Sequence, residues 1–287
     1  MTDASCSAHR IQIGPAALAF HVLRNIRPPS TQADIDISPA TWAAPVLNIQ
    51  TWRTQAGISA SDTRLRHTTK AEHASPGWQS IHEPADNVRK RFQGCLLGGA
   101  VGDALGAPVE FMSRTEILNR FGSAGITDYV PAYGGLGRIT DDTQMTLFTA
   151  EGLLRGWVRG ACKGITDYAA VTGNAYLRWL QTQGVPPRSI DPVEGEPGWL
   201  FQQRALHSQR APGNTCLSAL QAMTELGEPA SNNSKGCGGV MRVAPVGLFA
   251  WRLGQQAAIE DAFALGTELA GLTHGHPTGR LTGGVLA

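Results

Sequence analysis

Two adjacent carboxylates with a hydroxyl on either side, Thr140-Asp141-Asp142-Thr143, follow the glycine-bearing loop Tyr133-Gly134-Gly135-Leu136-Gly137-Arg138-Ile139. Neighbouring carboxylates repel unless a cation or hydrogen-bond donors offset the charge. Oxygen ligands of this kind suit a hard cation such as Mg²⁺, which typically keeps several of its waters. A structural reading competes: Thr140 or Asp141 as an N-cap, with acidic side chains in the first turn complementing the helix macrodipole. Spacing alone leaves both open.

Upstream, Gly102-Asp103-Ala104-Leu105-Gly106-Ala107-Pro108-Val109-Glu110-Phe111 places one acid on a glycine-rich helix and a second just beyond its end. Asp103 can cap a neighbouring helix, and Glu110 can be an ordinary loop carboxylate. Held on a rigid helix end, either is also placed to act as a base or a metal partner. Downstream, Lys235-Gly236-Cys237-Gly238-Gly239-Val240-Met241-Arg242 precedes Val243-Ala244-Pro245 at the start of a helical pattern. Its glycines can offer backbone N–H groups to a phosphate, and Arg242 can add a charge-assisted contact. A simple turn fits the same residues, and the run is not a Walker A motif. Finally, Thr273-His274-Gly275-His276-Pro277 closes another helical segment. Its histidines, two residues apart, do not share a helix face. Zinc would need further ligands that the sequence does not supply, which leaves C-terminal capping or a binding-loop role for His274.

The elements that must position these groups read as helices. From Val88 apolar residues recur at helical spacing, and Gly94, Gly98, Gly102 and Gly106 fall four apart, a stripe that predicts close helix packing. Further helical patterns cover about 142–156, 167–182, 215–226, 243–253 and 257–272, separated by Gly- and Pro-rich connections. Strand-like alternation is nearly absent, so an all-α core is expected, with function on its connecting loops. Residues 1–86 differ: prolines and polar residues recur, no period is sustained, and only Ala16 to Ile26 suggests a short amphipathic helix. They read as a largely irregular, poorly ordered extension, and 87–287 as the folded domain. The string Gly-Ile-Thr-Asp-Tyr occurs at 125–129 and again at 164–168 without matching flanks, and is taken as chance.

Composition narrows the partners. With 24 basic and 23 acidic residues the formal charge is +1, so no global field draws the chain to nucleic acid or an anionic membrane. No apolar run reaches the ~18 residues of a spanning helix, and the first residues lack a secretory pattern, so a cytoplasmic protein is expected. Five widely spaced cysteines, none in a Cys-x-x-Cys pair, argue against a disulfide framework or a zinc ribbon.

Taken together and in this order, GCLLGGAVGDALGAPVEF, ITDDTQMTL, GCGGVMRVAP and THGHP resemble the ADP-ribosylglycohydrolase family over roughly Val88 to Ala287. The resemblance implies an all-α, orthogonal helical fold with a binuclear Mg²⁺ centre. It implies hydrolysis of the bond between ADP-ribose and a protein side chain or another ADP-ribose. Carried over motif by motif, it makes Thr140, Asp141 and Asp142 metal ligands, with Glu110 at the metal site. It places Gly238, Gly239 and Met241 on the ADP-ribose cleft, where His274 joins them as a ligand contact. Glu110 or Asp142 would serve as base. The substrate would be an ADP-ribosylated protein or an ADP-ribose-containing small molecule. The family takes its remaining metal ligands from a later Asp-x-Asp-Thr motif. This sequence reaches Ala287 without one, and Asp62-Thr63 lies in the wrong context to replace it. The expectation is therefore a shortened domain with a weakened second metal site, or a catalytically impaired ADP-ribose-binding or protein-interaction pseudoenzyme. Ala262, Leu265, Leu269 and Leu272 would then be poorly covered.

Overall fold

A computed structural model describes residues 85–192, 197–251 and 255–287. The extension, with its Ala16–Ile26 pattern and Asp62-Thr63, lies outside the described residues. Eight α-helices are found among the latter: α1 (Ala85–Gly106), α2 (Arg114–Phe121), α3 (Asp141–Lys163), α4 (Tyr168–Thr182), α5 (Asn214–Ala222), α6 (Ala244–Ala250), α7 (Gln255–Gly271) and α8 (Pro277–Leu286). Short 3₁₀ turns occur at Leu200–Gln202, Arg204–Leu206 and Cys237–Gly239. The expected all-α class holds. Described residues from Phe92 onward form one compact unit, while 85–91, the first turns of α1, cluster apart from it. No helix among the described residues is long and apolar enough to cross a membrane.

Helix α3 begins one residue earlier than its periodicity suggests and runs seven further. Thr140 is its N-cap, and Gly164 closes it in the left-handed conformation at φ 73°. Asp167 caps α4 by accepting from the Ala170 N–H. Helix α5 stops at Ala222 because Met223 turns extended (φ −61°, ψ 123°), which tucks its side chain into the core. Two helices have no counterpart in the periodicity. Helix α2 carries a complete capping box, Ser113 with Glu116, but buries no residue, so it shows no strong apolar stripe. Helix α8 starts at Pro277: proline sits at its first turn, where the missing N–H costs nothing, rather than marking only the end of α7.

The core lies between α3 and α4 and is closed by α6 and α7. Met145, Phe148, Tyr176, Trp179 and Leu180 fill it with full burial. Two of its polar groups are paired across helices: the Trp179 indole N–H donates to Gln144 Oε1 at 3.0 Å, and the Gln144 amide donates to the Ser208 carbonyl at 3.1 Å.

Close helix approach is set by glycines other than the expected stripe. A Cβ on Gly152 of α3 would lie 2.7 Å from the Thr172 backbone of α4, and one on Gly283 of α8 would lie 2.6 Å from Ala270 of α7. In contrast, Gly94, Gly98, Gly102 and Gly106 meet nothing within 4 Å among the described residues, which corrects the reading of that stripe as a packing face. The expectation of poor cover on α7 is corrected too. Ala262, Leu269 and Leu272 are buried and Leu265 packs against the core, because α8 lies along α7 at glycine-to-alanine contact. Exposed apolar residues there are instead Ile259, Phe263 and Val285.

These placements separate two kinds of glycine. Gly152→Ala should destabilise the chain by about 1–3 kcal/mol through overpacking. Gly98→Ala should stabilise it by about 0.5–1 kcal/mol through helix propensity. Urea denaturation of both variants checks the contrast, and equal effects would contradict it.

Candidate active site

The site is organised from Asp103, in the last turns of α1. Its carboxylate reaches the start of α3 and accepts the Thr140 N–H at 2.9 Å, the Thr140 hydroxyl at 2.6 Å, the Thr143 N–H at 3.2 Å and the Thr143 hydroxyl at 2.5 Å. Two orphan donors at the helix N-terminus and two hydroxyls are satisfied by one side chain from 37 residues upstream. Of the readings open for Asp103, capping a neighbouring helix is the one observed. Thr140 also keeps its own capping role, accepting from the Asp142 N–H at 3.4 Å.

The opposite side is fixed by the loop before α5. The Asp141 N–H donates to the Arg210 carbonyl at 3.1 Å, and Asp141 Oδ2 accepts the Gly213 N–H at 3.2 Å. The Arg210 guanidinium, buried nearby, donates to the carbonyls of Ile139 and Ala205 at 3.1 and 3.2 Å. Ala211, next in the loop, holds φ at 55°, a left-handed conformation a non-glycine residue adopts at some cost. Tyr133, in the loop before α3, does the same at φ 47°. Strained backbone thus stands on both sides of the acidic pair.

Charge accumulates between these walls. Burial pushes the Asp141 carboxyl up to about 7 against the Gly213 N–H, with Asp142 and Glu110 adding repulsion. Asp142 is pushed up to about 6 by burial, then by Asp103 and Glu110. Glu110, more exposed, is raised by burial and by Asp103. The Tyr133 phenol is raised by burial and by Glu110, Asp141 and Asp103, which puts it within electrostatic reach of the cluster. Four carboxylates therefore share one neighbourhood.

In donor chemistry Thr140, Asp141 and Asp142 fit a hard divalent cation: two carboxylates lacking full compensation, and a hydroxyl whose proton is taken by Asp103. In number the set is small. No three His, Cys, Asp or Glu side chains among the described residues converge as one metal site. An ion held here would keep several waters, as Mg²⁺ does.

The glycine loop joins this cluster through Thr146 of α3, whose hydroxyl lies 2.8 Å from the Asp142 carbonyl and 3.4 Å from that of Met241. Met241 is half-buried against the core. Gly238 is a true close-approach position: a Cβ there would lie 2.7 Å from Cys216 Sγ and 2.9 Å from His274 Cε1. Gly239 is buried against Ala270 of α7 and the Gly279 carbonyl, so its smallness serves packing. Arg242 departs from the reading that made it a phosphate contact. It is fully buried, lying 4.3 Å over the Tyr176 ring and donating to the Leu269 carbonyl at 3.0 Å. His274 is buried beside it, and burial, then Arg242, push its pKa down to about 4. Asn232 pins the loop after α7, donating to the Thr273 carbonyl at 2.8 Å and accepting the Gly275 N–H at 3.1 Å.

Sequence reasoning missed Arg210, Gly213, Thr146 and Asn232. Pro212-Gly213 ahead of a helix was a usable signal for a loop presenting backbone N–H groups; the other three act through partners distant in sequence.

An all-α domain with an acid-rich helix N-terminus facing a glycine loop and a buried neutral histidine is the class this geometry defines. Residues 84–287 match the family model of ADP-ribosylglycohydrolase, and the chain belongs to that family. It is similar to the ADP-ribosyl-[dinitrogen reductase] glycohydrolase of Rhodospirillum rubrum, with 32% identity over 198 residues, 67% of this chain and 53% of the relative. It is also similar to the ADP-ribosylarginine hydrolase Tri1 of Pseudomonas putida, with 33% identity over 125 residues, 42% of this chain and 30% of that protein. An uncharacterized protein of Archaeoglobus fulgidus shares 43% identity over 70 residues, 23% of this chain and 22% of its own length. The chain thus spans about half the length, or less, of these curated relatives. No solved structure matches it significantly.

Two outcomes follow from the geometry. Asp103→Ala leaves four donors at the α3 N-terminus without their acceptor and should cost about 3 kcal/mol, read from urea denaturation. The raised Asp141 carboxyl has a direction in pH. In the unfolded chain it titrates near ~4, whereas in the folded chain it holds its proton up to about 7. Ionising it therefore opposes folding, and its contribution to stability falls as pH rises through that window. With chelator present, Asp141→Asn should gain stability over the wild-type chain from about pH 4 to about pH 7. A difference that does not change with pH would contradict the burial of this group.

Proposed function

We propose that this domain hydrolyses the glycosidic bond joining ADP-ribose to a protein side chain. The observation that supports it most is the acidic pair Asp141 and Asp142 at the N-terminus of α3, with Glu110 within electrostatic reach and a glycine loop tied to the same helix through Thr146. Both named relatives whose matches extend over a hundred residues or more are glycohydrolases or hydrolases of ADP-ribosyl groups. The substrate is then an ADP-ribosylated protein, and the reaction adds water at C1″ while the C1″ bond to the side chain breaks.

Thr140, Asp141 and Asp142 would hold Mg²⁺, which when bound supplies orientation of the ribose hydroxyls and acidification of a water. The chain's own residues do the rest. Asp142, pushed up to about 6, or Glu110, raised by burial and by Asp103, takes the proton of the attacking water. That proton becomes available to the leaving side-chain atom, so the overall exchange is neutral. Backbone N–H groups of Cys237–Gly239 would meet the diphosphate, while the Gly236 N–H is held by the Ser234 hydroxyl at 3.3 Å, and Gly238 keeps the loop free of a Cβ that would strike Cys216 and His274. The small convergent ligand set favours a second reading, an ADP-ribose binder without turnover.

Calorimetric titration of Mg²⁺ into the full chain with ADP-ribose present, then release of ADP-ribose from an ADP-ribosylated arginine substrate, separates the two. Metal-dependent binding with turnover supports hydrolysis; binding alone supports the receptor reading; neither overturns both. Where turnover is present, Asp141→Ala and Asp142→Ala should each lower it about 100-fold or more, the scale of removing a preorganised charged group. Wild-type rates in either variant would remove that residue from the site.

A further inference from the structure

Arg242, Thr273 and His274 form a chain of contacts whose proton positions can be deduced. A guanidinium only donates, so the 2.7 Å contact from Arg242 Nη2 makes Thr273 Oγ1 an acceptor there. That oxygen also lies 2.8 Å from His274 Nδ1. The Thr273 hydroxyl proton has two candidate acceptors, the His274 ring nitrogen and the sulfur of Cys216. The thiol is the weaker: burial pushes its pKa up, keeping it protonated, and it points toward the Gly238 carbonyl at 3.9 Å. The proton therefore lies toward Nδ1, and the single ring proton of neutral His274 resides on Nε2.

Nε2 faces the glycine loop. A Cβ on Gly236 would lie 3.3 Å from it, and one on Gly238 would lie 3.4 Å from it. No acceptor meets Nε2 among the described residues, whereas Nδ1 is satisfied. Both Nη atoms of Arg242 are held, by the Leu269 carbonyl, Met145 Sδ at 3.6 Å and Cys216 Sγ at 3.7 Å, with the guanidinium over the Tyr176 ring. It makes no ion pair among the described residues, so its charge is committed to neutral acceptors, Thr273 among them.

We propose that Arg242 and Thr273 are positioning residues that lock His274 as the Nε2–H tautomer, aiming one neutral N–H donor at an oxygen of the ligand lying on Gly236–Gly238. The ligand's identity as ADP-ribose rests on the reading above; the tautomer does not. Such a donor stays in place without gaining charge near neutral pH, so it binds an oxygen without serving as an acid.

Long-range ¹H–¹⁵N correlation spectra of the ¹⁵N-labelled full chain near neutral pH distinguish the two tautomers, with the His274 signals assigned by their loss in His274→Asn. The expected pattern is protonated Nε2 and unprotonated Nδ1 in the wild-type chain and in Thr273→Ser. Thr273→Val should show a mixed or reversed pattern and about tenfold weaker ADP-ribose binding. A protonated Nδ1 in the wild-type chain overturns the proposal without any variant, as does an unchanged tautomer in folded Thr273→Val. If the tautomer behaves as expected but the wild-type chain takes up no ADP-ribose, the relay stands and the functional reading falls.

Discussion

The Asp103 carboxylate is the constraint on which the acidic site depends. Without it, Thr140 and Thr143 would turn their hydroxyls to water or to their own helix, and α3 would begin with unpaired N–H groups in a buried setting. By collecting two N–H and two O–H donors, Asp103 fixes where α3 starts and therefore which way Asp141 and Asp142 project. It also adds a negative charge that raises its neighbours. One side chain thus performs two opposed tasks: it stabilises the helix end and makes the adjacent carboxyls harder to ionise. The cost of the second is tolerable because the first is a charge-assisted network in a partly buried place, where such hydrogen bonds are strongest.

Much of this could be read from the chain before its fold was known, and the pattern of success has a physical cause. The Thr140 cap is a local signal, encoded within one helical turn, and the structure shows it. The all-α class holds as well, since periodicity over fifteen or more residues averages out single exceptions. The glycine stripe of α1 misled because spacing shows that a helix can be approached closely, not that another helix does so. Gly152 and Gly283 carry out that role, each opposite a partner that only tertiary structure identifies. Helix α8 was hidden by reading Pro277 as a terminator, although the same ring is suited to a first turn. The Arg210 carbonyl and the Gly213 N–H reach Asp141 across some seventy residues, and no local rule detects such a reach.

Two cations show how placement overrides residue type. Arg242, next to a glycine loop, suggested a phosphate ligand, and Arg210, in a polar connection, suggested nothing. Both are buried and both brace loops through carbonyl oxygens. Arginine suits this task because its planar fork presents several donors at fixed angles and keeps its charge when desolvated. Neither arginine makes an ion pair with the carboxylates of the acidic cluster among the described residues.

That separation explains why the site keeps its unbalanced charge. An arginine placed against Asp141 or Asp142 would neutralise them and lower their proton affinity, leaving no electrostatic reason for a cation to bind. Here the donors that reach Asp141 are backbone N–H groups, which orient it without cancelling its charge, and the α3 macrodipole offers only partial compensation. Beside the glycine loop, His274 is held neutral by burial and by Arg242. Under the function proposed above, the region of excess negative charge would take the ribose end of the ligand, and the glycine loop its phosphate end. The fold separates those environments by α3 and the glycine loop, and the Thr146 hydroxyl, touching carbonyls of both, sets the distance between them.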